Sequence, residues 1–226
     1  MNRGPAAALS AAAREKLEVV LALLAEERAS VSSVVDRRAW RVHVLDSLTG
    51  LEVPELQTAA RIADVGAGAG FPGLALAVAL PAAHIDLIES VGRKCEFMRR
   101  AVEEAEITNA SVLHTRSEEW AASAGGEVYD AVTARAVGRL STLAELASPL
   151  LPTGGVLVAW KGRRDGDEER QLDRAATSLA MRPEIILDVG DRAGSEHRHL
   201  HVIRKAGPTP TNLPRRAGMA KKRPRG

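Results

Sequence analysis

Arg61-Ile62-Ala63-Asp64-Val65-Gly66-Ala67-Gly68-Ala69-Gly70-Phe71-Pro72-Gly73 is the stretch on which the reading of this chain turns. A short apolar run ends on an acid and breaks into alternating glycines. Leu74 to Leu80 then reads as a helix with Pro72 near its first turn, where proline's missing N–H costs nothing. Strand, glycine turn and helix N-terminus in succession aim backbone N–H groups and a partly positive helix end at a ligand. Glycine suits the turn because a Cβ would forbid its dihedrals and hold the ligand away.

Two cofactor classes compete for this turn. Gly68, Gly70 and Gly73 fit the dinucleotide fingerprint, with Glu89 at about the right distance beyond. Asp64, two residues before Gly66, and the tighter spacing Gly66-x-Gly68-x-Gly70 favour a different one. Asp-x-Gly-x-Gly-x-Gly resembles motif I of class I S-adenosylmethionine methyltransferases. That resemblance implies that Asp64 faces the methionine end of the cofactor. It also implies that Glu89, closing His84-Ile85-Asp86-Leu87-Ile88, holds the ribose hydroxyls. The plain alternative is a tight βα turn with no ligand.

The 226 residues suffice for one α/β domain with additions. No run approaches the length of a membrane span, and the N-terminal alanines are interrupted by Arg14, Glu15 and Lys16, unlike a secretion signal. Cys95 is the single cysteine, which excludes a disulfide framework and cysteine-based zinc clusters; no metal is expected, and a reducing cytoplasm is. Aromatic residues make up 3% of the chain, too few for extended base stacking on a sheet face. The net charge of +2 hides an asymmetry: Arg204, Lys205, Arg215, Arg216, Lys221, Lys222, Arg223 and Arg225 fall in a C-terminal stretch with no acid. An acidic body with a basic end suggests a polyanionic partner contacted by the tail, or else a solvated terminus.

Residues 1–58 read as a helical N-terminal extension, 59–205 as the cofactor-binding core and 206–226 as a basic, Pro-rich tail with no core of its own. Residues 6–28 carry Leu17, Val20, Leu21 and Leu24 at helical spacing, a stripe that belongs in a core. A second helical piece is expected over Val31 to Arg41. His43 and the Asp46-Ser47 pair fall within one helical turn, and the histidine reads as structural or as part of a site.

Beyond the glycine turn, strands are expected at His84–Glu89, Ala110–Thr115, Tyr129–Arg135 and Gly154–Gly162, with helices between them. Glu184–Val189 and Leu200–Ile203 read as a final antiparallel pair. Seven strands, the first five in βα units, fit one doubly wound α/β domain. Ser117 and Glu118 follow the third strand at the sheet edge where open α/β sheets bind ligands. Methyltransferases contact adenine there; a capped helix start is the structural reading.

The fourth strand ends in Thr133-Ala134-Arg135-Ala136. Methyltransferases of exocyclic amines carry Asn/Asp-Pro-Pro-aromatic at this point, and its absence argues against that chemistry. Cys95 is not placed for a covalent carbon-5 route. Guanine N7 has an in-plane lone pair and loses no proton on attack, so neither device is needed. Arg135 and Lys161, at adjacent strand ends, could orient the base through O6 and phosphates. Equally, Arg135 could bind the cofactor and Lys161 cap a loop. N7 is hidden in the narrow groove of A-form RNA, so the target must lie in a loop or be extruded.

Taken together, the chain closely resembles the glucose-inhibited division protein B family, the bacterial small-subunit ribosomal RNA guanine-N7 methyltransferases. The likeness rests on His43-x-x-Asp46-Ser47-Leu48, the Asp64–Gly73 turn, Glu89-Ser90 with Arg93-Lys94, Arg116-Ser117-Glu118, Arg135-Ala136, Trp160-Lys161-Gly162 and Leu213-Pro214-Arg215-Arg216-x-Gly218. The resemblance implies a Rossmann-like class I fold and S-adenosylmethionine bound by Gly66, Phe71, Ser117, Glu118 and Arg135, with Asp64, Gly68, Gly70 and Glu89 beside them. It implies a guanine of the 530 loop of 16S rRNA as target, on a 30S subunit or its precursor; separately, a monomer is expected. His43, Arg135 and Lys161 are the candidate catalytic residues. Arg93, Lys94, Lys161, Arg215, Arg216, Lys221 and Lys222 are the candidate RNA contacts. Where the family often shows Asn-Leu-Thr, this chain has Arg37-Arg38-Ala39-Trp40.

Two other classes remain open to the sequence. A nicotinamide oxidoreductase of the short-chain type needs Tyr-x-x-x-Lys, yet the one tyrosine, Tyr129, is followed by Thr133. A non-catalytic ribosome assembly factor on the same scaffold would have no need of Asp64, the glycine turn and Glu89.

Overall fold

The computed structural model describes residues 9–27, 32, 34, 38–190 and 197–226. Most of the helix expected over Val31 to Arg41, and Arg37, lie outside the described residues.

Short apolar runs without alternation form the sheet centre, as parallel strands covered on both faces require. β1 (Arg61–Val65), β2 (His84–Glu89), β4 (Ala131–Arg135) and β5 (Val156–Lys161) are buried through almost their whole length. With β3 (Ala110–His114), β6 (Met181–Asp188) and β7 (His199–Lys205) they make one seven-stranded sheet in the order β3-β2-β1-β4-β5-β7-β6. β7 runs antiparallel to both neighbours. The expected last pair is therefore present, but its second strand is inserted between β5 and β6. This order departs from the six-stranded 3-2-1-4-5-6 arrangement of dinucleotide domains. β6 is left as the edge, where Pro183 and a register shift are tolerated.

Helices cover both faces. On one, α1 (Ala11–Glu26), α4 (Gly73–Ala79) and α5 (Gly92–Glu104) pack Leu17, Val20, Leu24, Leu74, Leu76, Phe97 and Met98 onto Ile62, Ile85, Val158 and Val202. Leu23 takes the buried place that the stripe gave to Leu21. On the other face, α7 (Leu140–Ala147) and α8 (Gly166–Ala176) bring Leu140, Leu143 and Leu172 onto Val132, Leu157 and Ile203. The N-terminal extension thus shares the core of the first face. Its second part is a π-helical turn at Trp40–Leu45 that runs into α2 (Asp46–Leu48) and on to α3 (Pro54–Thr58), while the short α6 (Ser117–Ala121) follows β3.

The C-terminal residues depart from expectation. Composition reads as a tail without a core, yet Leu213 and Ala220 are buried and Leu213 joins the second core cluster. Arg215 makes a two-pronged ion pair with the buried Glu145, at 2.5 and 2.6 Å. Thr209 is held by Glu127, and the Lys205 ammonium is buried against Ser148 and Thr209. Acids of the body order this segment, and composition alone does not reveal them.

Candidate active site

Doubly wound sheets bind ligands outside the carboxyl ends of their strands, at the point where strand order reverses. Here that point lies between β1 and β4. A cavity of about 490 Å³ opens there, lined by Val65 and Gly66 after β1, Glu89 and Ser90 after β2, Ser117 and Glu118 after β3, and Ala136 and Val137 after β4. Gly66, Gly68 and Gly70 all have positive φ, at 68°, 61° and 86°. A Cβ on Gly66 would also sit 2.7 Å from Val137 Cγ2. The turn therefore needs glycine at Gly66 twice over, for its dihedral and for the approach of the β4 loop. Ala136 itself sits at φ 59°, a backbone strain of the sort that collects at functional sites.

Glu89 occupies the end of β2 facing this cavity. Its Oε1 accepts from the amides of Ser90 and Val91 at 2.7 and 2.9 Å, and its Oε2 from the Gly68 amide at 3.1 Å. An ionised carboxylate has about four acceptor positions, so Oε2 can take a further donor such as a ribose hydroxyl. A cavity of this volume lies in the range of small-molecule sites. The fit to an adenosyl cofactor rests on that carboxylate and on the glycine backbone beside it.

Asp64 does not face the cavity. It is fully buried, with Oδ1 accepting from Thr133 Oγ1 and Oδ2 from the Gly73 amide, both at 2.9 Å. Burial pushes its carboxyl up to about 6, against those hydrogen bonds that favour the charged form. Its place is structural: it pins the glycine turn and the start of α4 to β4. Phe71 is likewise buried and stacks on the His43 ring at 5.0 Å. Gly68 and Gly70 shape the turn behind the cavity wall.

Arg135 and Lys161 diverge. Arg135 pairs in register with Trp160, the residue before Lys161, so the pleat sends the two cations to opposite faces. Arg135 turns to the N-terminal segment, donating to Asp46 Oδ2 at 2.8 Å and to the Val42 carbonyl at 3.0 Å. Lys161 turns to the other face, donating to Glu168 Oε1 at 2.6 Å and the Gly138 carbonyl at 3.1 Å. Of the two readings left open for each cation, this alternation favours separate roles over joint orientation of one base. His43 closes the Arg135 cluster: its Nε2 meets the Val34 carbonyl at 2.8 Å, and burial holds its pKa below the usual value.

Ser117 and Glu118 line the cavity, and Ser117 Oγ donates to Glu118 Oε2 at 3.2 Å. Of the expected RNA contacts, Lys94, Lys221 and Lys222 stand on the cavity rim, and Arg93 and Arg216 are exposed. Lys161 and Arg215 are instead engaged in ion pairs within the chain. That Gly218, Ala220 and the two lysines after it form cavity wall escaped the sequence reading, which took the lysines as RNA contacts and Gly218 as part of the family's tail motif. Among the described residues no cluster of side chains could hold a metal ion, and no helix is long and apolar enough to cross a membrane.

This strand order and site define a Rossmann-like class I methyltransferase. Solved structures of the same fold include a Methanococcus jannaschii fibrillarin pre-rRNA processing protein (TM-score 0.57, 16% identity, 72% of this chain and 74% of that one). Cofactor-bound Rv0187 from MTB is another (TM-score 0.57, 18% identity, 85% and 90%). The family model described as rRNA small subunit methyltransferase G matches residues 16–200, and the chain belongs to that family. Relatives bearing that name are 41% identical in Chloroflexus aggregans (88% of this chain, 83% of the relative) and 40% in Rubrobacter xylanophilus (94% and 85%). The Bacillus subtilis protein is 32% identical, over 93% of this chain and 90% of its own.

Proposed function

We propose that the protein methylates N7 of a guanine in small-subunit ribosomal RNA, within the 530 loop of 16S rRNA presented by the 30S subunit or its precursor. The observation that carries this reading is the buried Glu89 facing a switch-point cavity whose rim holds Lys94, Lys221 and Lys222. S-adenosylmethionine, when bound, supplies an electrophilic methyl group on a sulfonium. The chain's part is to bind and orient. Glu89 would accept from the ribose diol, the Gly66 turn would let the backbone come close, and Ser117 with Glu118 would address the adenine edge. Guanine N7 attacks with a lone pair and releases no proton, so catalysis needs alignment rather than a general base.

That economy suits a site in which His43 is engaged with Val34 and Arg135 with Asp46. Arg135 acts as the anchor of the N-terminal segment on β4. Rim lysines grip RNA phosphates and leave base selection to the unpaired nucleotide's own edge.

The test is to incubate the purified protein with labelled methyl donor and 30S particles lacking the modification, then map 7-methylguanine. Label at one guanine of the 530 loop is expected. Tight ribosome binding without incorporation would favour the assembly-factor reading instead.

A further inference from the structure

We infer that residues 213–225 form a strap that walls the nucleoside end of the cofactor cavity, with Glu145 as the positioning residue that holds it there. This rests on the cofactor assignment above and extends it to a segment that composition reads as a free tail.

Three sets of contacts carry the inference. The strap enters over the second core cluster at Leu213 and turns at Gly218, whose φ is 80°. At that turn the Gly218 amide donates to Glu118 Oε1 at 2.7 Å, so the strap is hydrogen-bonded to a residue that itself lines the cavity. Gly218, Ala220, Lys221 and Lys222 then form cavity wall. Thr142, another lining residue, reaches the Ala220 carbonyl at 3.4 Å.

Glu145 fixes both ends of the strap. It is buried on α7, binds Arg215 through both oxygens, and meets Arg225 at 3.8 Å. Arg215 in turn donates to the Arg223 carbonyl at 2.8 Å, which closes residues 215–223 into a loop. Planar two-pronged pairing of this type fixes orientation as well as distance. By contrast, Arg216, Lys221, Lys222 and Arg223 are exposed and in no ion pair among the described residues. The strap therefore divides its cations: Arg215 and Arg225 hold it down, and the others face outward around the mouth.

A wall of this kind makes cofactor and strap mutually stabilising. A ligand in the cavity must slow opening of the strap, and a loosened strap must weaken the ligand. Trypsin cleaves after Arg216, Lys221 and Lys222 only when the strap lifts. For the intact wild-type chain, saturating S-adenosylhomocysteine is expected to slow those cleavages on the order of tenfold, while cleavage at the exposed Arg14 on α1, on the other face of the sheet, stays unchanged. Glu145→Gln is expected to weaken S-adenosylhomocysteine on the order of tenfold by calorimetry. It should raise KM for the donor with kcat retained. Arg215→Gln, which removes the strap side of the pair, should show the same split, and urea titration of both variants separates loosening of the strap from loss of the fold.

Calorimetric binding of S-adenosylhomocysteine with unprotected strap cleavage overturns this inference alone. No binding by the wild-type chain overturns it together with the cofactor assignment.

Discussion

Arg135 Nη1 donates to Asp46 Oδ2 at 2.8 Å across 89 residues of sequence, joining the end of β4 to the N-terminal helical segment. Asp46 is almost fully buried and also meets Arg198 Nε at 2.7 Å, in ion-pair contact but off the axis of a hydrogen bond. One carboxylate thus lies between two guanidiniums, one on the core and one entering β7. Removing it leaves Arg135 buried and uncompensated. Asp46→Asn is expected to lower unfolding free energy by about 3 kcal/mol in urea titration. The double variant Asp46→Asn, Arg135→Gln should lose less than the two singles added; strict additivity would show the pair to be uncoupled.

Asp64 gives a pH signature of opposite character. Its folded pKa of about 6 lies above the unfolded value of about 3.9. The folded state therefore holds its proton longer, and stability from this group is present below about pH 4 and lost as pH rises to about 6. The difference amounts to about 2–3 kcal/mol. Measured against Asp64→Asn, wild-type unfolding free energy should fall relative to the variant across that interval and run parallel to it above pH 7. Parallel curves throughout would place the carboxyl at an ordinary pKa.

His43 works in the other direction. Burial, with the Arg135 charge adding to it, lowers its pKa from 6.5, so the ring is neutral at pH 7. Charging it costs stability as pH falls from about 6.5, the unfolded value. Its NMR titration should have a midpoint below that of an exposed histidine, and Phe71→Ala, which opens one face of the ring, should move the midpoint back up. A midpoint at or above 6.5 would mean that the ring is solvated.

The parallel core was legible because each βα unit carries its own local marks: an apolar run, a turn and an amphipathic helix. The Asp64–Gly73 turn was readable as a ligand-binding turn because three glycines at alternate positions have few other uses. Side-chain direction was not legible to the same degree. Arg135 and Lys161 are neighbours along the sheet edge, but only the register of β4 against β5, which apolar runs buried on both faces do not reveal in the sequence, decides that they point apart. Asp64 looked like a ligand contact because its own donors, Thr133 and Gly73, come from elements that must first be assembled. The strap was hidden for the same reason: Glu118, Glu127 and Glu145 lie 70 to 100 residues upstream of their partners.

On the proposed function, the exposed cations of the strap are expected to set the salt dependence of RNA binding. Each phosphate contact by a lysine contributes about 0.7–0.9 to the slope of log affinity against log salt. Lys221→Ala with Lys222→Ala should reduce the magnitude of that slope for ribosomal RNA by about 1.5. Affinity for S-adenosylhomocysteine should stay within about threefold, because these side chains stand at the rim. Arg170→Ala, a cation paired with Asp167 on α8, is the control and should leave the slope unchanged. An equal slope in all three proteins would remove the strap from the RNA contact.

Gly66 and Gly68 separate two reasons for glycine in the cofactor turn. Both have positive φ, so alanine at either position costs about 1–2 kcal/mol of backbone strain. At Gly68 the new methyl meets nothing closer than the Gly66 carbonyl oxygen at 3.8 Å, and strain is the whole penalty. At Gly66 it also overlaps Val137, 2.7 Å away, and pushes the β4 loop off the cavity that both residues line. Gly68→Ala is expected to weaken S-adenosylhomocysteine by roughly tenfold or less, and Gly66→Ala by about a hundredfold or more. Adding Val137→Ala to Gly66→Ala should restore affinity only to the level of Gly68→Ala, since space returns and strain does not. Equal losses in the two single variants would show that Val137 yields freely and that the approach of the loop plays no part in binding.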